Sequence, residues 1–123
     1  MNWTLDKSHP ICPQICELIC VAVANGEFLA GEKLLSVREV AVLASVNPNT
    51  VQKSFEELER RGVIHSVRCS GWYVNENTEA ATDEVNAIRI KKTEEYLAAM
   101  SQLGCDLDDT IKYLNKVREE NNE

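Results

Sequence analysis

Asn49, Thr50, Gln52 and Lys53 fall within five positions of one another, directly after Asn47-Pro48. Asparagine and glutamine amides can bond adenine in two-pronged fashion, and a lysine can reach guanine or phosphate. Carried into a major groove on the first turns of a helix, such a set reads base edges. Any helix exposes polar residues on its outer face, so the set acquires meaning only from its surroundings. Upstream, Ser36 and Arg38 open another helical segment. Free N–H groups and the dipole at a helix N-terminus favour phosphate, and Arg38 would add a charge-assisted contact. An ion pair of Arg38 with Glu39 or Glu32 is an equal alternative. Downstream come Arg68, Cys69, Ser70 and Gly71. Glycine lets a backbone approach DNA closely, and an adjacent arginine suits the minor groove. An ordinary hairpin turn also wants glycine there.

Other chemistry is sparse. Cys12, Cys16 and Cys20 recur every four residues and so line one helix face, with His9 just upstream. Thiolates so spaced could hold a soft metal or sense oxidation. The sequence offers no second ligand pair elsewhere, and cysteine otherwise packs as a small hydrophobe; the expectation is packing, with no metal and no cofactor. Only His9 and His65 could serve as imidazole bases, and no motif sets a serine or carboxylate beside either. With no glycine-rich phosphate loop as well, no catalytic residues are assigned and an enzyme is not expected.

The elements that must position these residues follow from periodicity and caps. Pro10 opens a first helix through Ile11, Ile15, Leu18, Ile19 and Ala22, stopped by Asn25-Gly26. Ser36 and Glu39 form a capping box for a second helix ending near Ala44-Ser45. Asn47 caps a third helix with Pro48 as its first residue. Its inner stripe is Val51, Phe55 and Leu58, with Asn49, Lys53, Glu56 and Arg60 opposite, and Gly62 ends it. Two helices so closely joined make a helix-turn-helix. Val63 to Val67 and Trp72 to Val74 then form a hairpin, or wing. The polar stretch 75–81 reads as a linker. A long helix from Thr82 to about Leu103 follows, broken at Gly104, and Asp106 caps a last helix with an inner stripe of Leu107, Ile111, Leu114 and Val117.

The fold class is therefore mainly α with a small β-hairpin: a winged helix-turn-helix over residues 1–77, then a two-helix C-terminal dimerisation tail over residues 78–123. The tail is too short to enclose a ligand pocket of its own. A stripe of Val85, Ile88, Tyr96 and Leu103 can pack on the last helix, while Ile90 and Leu97 need another surface, most simply that of a second subunit. Met100 shares the face, and Leu107, Ile111 and Leu114 complete the expected dimerisation set.

The chain has 123 residues and a formal net charge of −7, which is awkward for a nucleic-acid binder. The acid is uneven: residues 78–123 hold 6 basic and 11 acidic residues, whereas residues 34–74 hold 5 basic and 4 acidic. Bulk charge thus does not exclude double-stranded DNA as partner. Met1 to Lys7 does not lead into a signal peptide, no apolar run approaches a membrane span of roughly 20 residues, and an odd count of five cysteines suits a reducing cytoplasm.

Two stretches carry a family resemblance. Gly26-Glu-Phe-Leu-Ala-Gly31 followed by Leu34-Leu35-Ser36-Val37-Arg38-Glu39-Val40-Ala41 resembles the GntR-superfamily pattern G-x-L-x-x-G-x-x-L-P-S-x-R-x-L-A. Asn47-Pro48-Asn49-Thr50-Val51-Gln52-Lys53, with Leu58-Glu59-Arg60-Arg61-Gly62-Val63-Ile64, resembles its recognition-helix segment, in a form similar to the YtrA-type subfamily. The resemblance implies a homodimeric winged-helix repressor, and a transporter operon as target; any effector stays unspecified. Its DNA-contact positions fall on Ser36, Arg38, Asn49, Thr50, Lys53 and the wing around Gly71. Leu35 stands where the family has proline, Pro48 where many relatives carry a contacting arginine, and Cys69 where a wing glycine is common. A winged-helix protein-interaction module and a thiol- or metal-responsive DNA-binding sensor are the competing readings.

Overall fold

The structure is a computed structural model that describes residues 1–122. Its elements run α1 (Ile11–Ala24), α2 (Val37–Ala44), α3 (Pro48–Arg60), β1 (Ile64–Val67), β2 (Gly71–Val74), α4 (Glu79–Gln102) and α5 (Leu107–Asn121). The chain divides into two compact units, Met1–Asn86 and Ala87–Glu123. No helix among the described residues is long and apolar enough to cross a membrane.

The first unit is built around α3. Val51, Phe55 and Leu58 are fully buried, as the apolar spacing requires, and α1 and α2 both pack on that helix. Phe55 meets Trp72 of β2 edge-on, with ring centroids 5.6 Å apart, a favoured aromatic geometry. β1 and β2 pair antiparallel, Ile64 opposite Val74 and Val67 opposite Gly71. The other edge of β2 is covered by an extended strap before α2. The Leu34 N–H donates to the Trp72 carbonyl at 2.8 Å, the Val74 N–H to Glu32 at 2.9 Å, and the Gly31 N–H to Val74 at 3.0 Å. The wing therefore has no open edge on the strap side.

The predicted stops and starts hold: Asn25 ends α1, and Ser36 and Asn47 cap α2 and α3. Three expectations are corrected by tertiary packing. Pro10 is the N-cap of α1, not its first helical residue. Residues 1–9, to which the sequence pattern assigns no element, send Trp3 and Leu5 into the core. Residues 79–81, read as linker from their polarity, begin α4, and Ala81 is fully buried. Val85, assigned to the dimerisation face, lies in the core of the first unit at 4% exposure.

Cys16 and Cys20 lie in that core too. The Cys16 thiol donates to the Ser54 carbonyl at 3.6 Å, and the Cys20 thiol to Glu84 Oε2 at 3.2 Å. Burial, then the neighbouring Cys12, pushes the Cys16 thiol up to about 12; burial, then the Glu84 hydrogen bond, raises Cys20 as well. Both are neutral donors, the state of an inert structural thiol.

In the second unit, α4 stops at Gln102, where Gly104 has φ +83°. Asp106 and Asp109 form a capping box for α5, and the buried Thr110 hydroxyl donates back to the Asp106 carbonyl at 2.8 Å. The stripe expected to face inward on this helix is instead exposed: Leu107 at 60%, with Ile111, Leu114 and Val117 each about half exposed. Leu103 and Ile90 are exposed as well, Tyr96 partly so, while Ile88, Leu97 and Met100 are half-buried.

The raised thiol carries a pH signature. An unfolded cysteine ionises near about pH 8.5, well below the folded value for Cys16. Above that point the unfolded chain binds fewer protons than the folded one, so stability falls with rising pH. The contribution is complete below about pH 8.5 and disappears as pH climbs through the folded value. The drop in urea midpoint between pH 8 and pH 10.5 should therefore shrink in Cys16→Ala; an undiminished drop would contradict the assignment.

Candidate nucleic-acid interface

α2 and α3 are joined by Ser45, Val46 and Asn47 alone. Ser45 turns the chain in the left-handed region, at φ 55° and ψ 50°, and the Val46 N–H donates to the Ala41 carbonyl at 3.0 Å. The Lys7 ammonium closes the corner from outside, donating to the carbonyls of Ala44 at 2.7 Å and Ser45 at 2.8 Å. A cation there meets the negative end of the α2 dipole.

At the other end of α2, the Glu39 N–H donates to Ser36 Oγ at 3.1 Å, and Glu39 Oε1 accepts the Ser36 N–H at 3.0 Å. Those bonds to Ser36 hold the Glu39 carboxyl below its ordinary range. Arg38 was expected to face either phosphate or a carboxylate. Glu39 is engaged in the capping box, and Glu32 Oε2 accepts the Leu29 N–H at 2.7 Å. Among the described residues Arg38 is exposed and in no salt bridge.

On α3 the Asn47 side chain accepts the Asn49 N–H at 2.8 Å. Asn49 and Lys53 are exposed on the outer face; Thr50 and Gln52 are half-buried. The Gln52 amide donates to Glu56 Oε1 at 3.1 Å, a pairing one helical turn long that takes up part of its hydrogen-bonding capacity. The C-terminal part of this face is self-neutralised. Arg60 pairs with Glu57, and Arg61 bonds Glu57 at 3.0 Å and Glu84 at 3.3 Å. Positive charge free of a carboxylate is thus concentrated toward the N-terminal half of α3, at Lys53.

The wing is tied to α3 through Glu59, whose Oε2 accepts the Ser66 N–H at 2.9 Å and the Ser66 hydroxyl at 3.2 Å. Its loop is Arg68, Cys69 and Ser70, closed by the Ser70 N–H on the Val67 carbonyl at 3.0 Å. Arg68 is exposed, whereas the Ser70 hydroxyl is hydrogen-bonded to Tyr73. His65 stacks on Tyr73 at 6.1 Å and its Nδ1 meets Asn75 Oδ1 at 2.6 Å. Cys69 has φ +63° at the third position of the turn, a place that such turns usually give to glycine. Gly71 is half-buried at the start of β2, and a Cβ on it would meet Lys33 Cε at 3.2 Å. No short-range pattern links Lys33 to this glycine, which lies 38 positions along the chain.

Two helices at a short turn, a free polar N-terminal face on the second and a hairpin wing fastened to it make a winged helix-turn-helix. Residues 13–74 match the model described as "Bacterial regulatory proteins, gntR family". The chain belongs to the GntR family. Over 112 residues it is 31% identical to the uncharacterized HTH-type transcriptional regulator YhcF of Bacillus subtilis, covering 91% of this chain and 93% of that one. It is 40% identical over 86 residues to the HTH-type transcriptional repressor YtrA of the same organism, covering 70% and 66% of the two chains. A GntR family transcriptional regulator from Listeria monocytogenes superposes with a TM-score of 0.81 at 38% identity, over 91% of this chain and 98% of that one. AraR(DBD), in complex with operator ORX1, superposes with a TM-score of 0.52 at 25% identity, over 57% and 86%. The GntR assignment places the chain among regulatory proteins, not enzymes, and the YtrA likeness agrees with the Asn-Pro-Asn-Thr-Val signature.

The left-handed Cys69 generates a stability test. A non-glycine residue there costs roughly 1–2 kcal/mol, part of which glycine's extra unfolded-state freedom offsets. Cys69→Gly should raise the unfolding free energy by up to about 1 kcal/mol, and the β-branched Cys69→Val should lower it. The reverse order of melting temperatures would refute the turn geometry.

Proposed function

We propose that this GntR-family protein is a sequence-specific repressor that grips an inverted-repeat operator as a homodimer. The observation that carries the reading is the outer face of α3, where Asn49 and Lys53 are exposed beside the tight turn. Asn49, Thr50, Gln52 and Lys53 would read bases in the major groove. Ser36 and Arg38 would meet phosphate, and Arg68, Ser70 and Gly71 the adjacent minor groove. AraR, a structural relative, is seen on its operator, and YtrA is named a repressor; both support the reading. Action in the cytoplasm on a transporter operon belongs to the same proposal, through the YtrA likeness.

The dimer would form through the exposed apolar stripe of α5, Leu107, Ile111, Leu114 and Val117, together with Ile90, Tyr96 and Leu103 of α4. Ile88, Leu97 and Met100 would line its edge; Val85 takes no part. A water-exposed stripe of this length on one helix is a poor final state for a single chain, and a second copy offers the same stripe in return.

DNase footprinting on the DNA flanking its own coding region should show two protected half-sites, their centres roughly 10 bp apart or slightly more. Asn49→Ala and Lys53→Ala should each cost roughly 1–3 kcal/mol of specific binding. Arg38→Ala should weaken all sequences alike and flatten the salt dependence. A single unrepeated half-site, or an Arg38→Ala variant with altered sequence preference and unaltered salt slope, would contradict this.

Truncation after Asn77 would strip Ala81 and Val85 from the core of the first unit, so charge insertion is the cleaner test of the dimer. Full-length Ile111→Glu/Leu114→Glu should sediment as a monomer and hold the operator at least tenfold more weakly, with its melting transition retained. A double variant that still sediments as a dimer would rule out this interface.

A further inference from the structure

Lys33 lies on the strap before α2, bridged antiparallel to Tyr73 of β2. The bonds from Leu34 to Trp72 and from Val74 to Glu32 fix the backbone on either side of it. Its side chain crosses the start of β2 at Gly71, whose φ of +133° and missing Cβ leave the room. A Cβ there would stand 3.2 Å from Lys33 Cε and 4.0 Å from Nζ. The aliphatic stem thus lies over Gly71, and the ammonium stands beside the wing loop that carries Arg68.

Lys33 also stands three residues before Ser36, the N-cap of α2. Glu39 is engaged with the Ser36 N–H, and among the described residues no salt bridge includes Lys33. It is exposed. A lysine that lays its stem along the protein surface keeps its head in water, and with no carboxylate bonded to it the ammonium is open to an anion.

We propose that Lys33 is a phosphate-contacting residue, binding the DNA backbone where it passes between the wing and the start of α2, and that the missing side chain of Gly71 favours this placement. This rests on the DNA-binding reading above. Gly71 then has a second purpose beside its place on the wing: it leaves space for a lysine stem, and the ammonium adds a phosphate contact.

The test uses full-length wild type, Lys33→Met, Lys33→Arg and Gly71→Ala. Each is titrated at several salt concentrations against an operator fragment and an unrelated duplex of equal length, with melting transitions recorded. Methionine keeps the stem over Gly71 and removes the charge. Each phosphate contact contributes about 0.9 to the slope of log K against log salt, or roughly eightfold in affinity at 0.1 M salt. Lys33→Met should therefore weaken both duplexes by about that factor and flatten the slope by about one. Lys33→Arg should retain the slope, and Gly71→Ala should lose part of it. An unchanged slope in Lys33→Met overturns the proposal, whether affinity falls or not; so does a loss confined to the operator. Wild type that binds neither duplex overturns the DNA-binding reading itself, and is recognised before any variant is compared.

Discussion

Burial of one stripe of α3 governs the rest of the first unit. With about 3.6 residues per turn, sinking Val51, Phe55 and Leu58 leaves a single rotational setting for the helix, and that setting sends Asn49 and Lys53 to water. Phe55 helps hold it, because its ring reaches Trp72 and so fastens helix and wing together. Glu59 adds a second tie, from the same helix to the Ser66 backbone. The outer face of α3 is positioned by what its inner face is packed against.

The outer face carries Glu56 as well as Lys53, and the acidic side chains around it are mostly engaged within the protein. Acidic side chains near α2 and α3 are largely engaged within the protein: Glu39 in a capping box, Glu57 by two arginines, Glu59 by the wing. Their fields are partly cancelled locally, while Arg38, Lys53 and Arg68 remain exposed. A net acidic chain can thereby present a surface suited to phosphate, since the field a close partner meets depends on nearby unpaired charge more than on the total. Much of the remaining acid lies beyond residue 78.

The cysteines illustrate how context decides chemistry. Three thiols at four-residue spacing are compatible with a metal or redox site. In the fold, two of them sink between α1 and its neighbours and become neutral donors to Ser54 and Glu84. Desolvation of a thiolate is what removes the reactive form. Cys69, alone on the wing loop and exposed, has an ordinary surface setting with an unusual backbone angle.

What could be read from the sequence was local. Ser36 with Glu39, Asn47 with Pro48, Asn25 with Gly26, and Asp106 after Gly104 each act across four residues or fewer, so spacing alone specified those four boundaries, while the start of α4 at Glu79 escaped it. The apolar period of α3 likewise determined its inner face, and short β-branched runs the wing. The tertiary structure decided what lies across the fold. It put Trp3 and Leu5 into the core, took Val85 from the tail into the winged-helix unit, and seated Lys33 over Gly71. It also left the apolar stripe of α5 facing outward, where periodicity predicts an inward face. Periodicity states that a helix has an apolar side; which surface covers that side depends on contacts between residues far apart in the chain, and no short-range pattern encodes them.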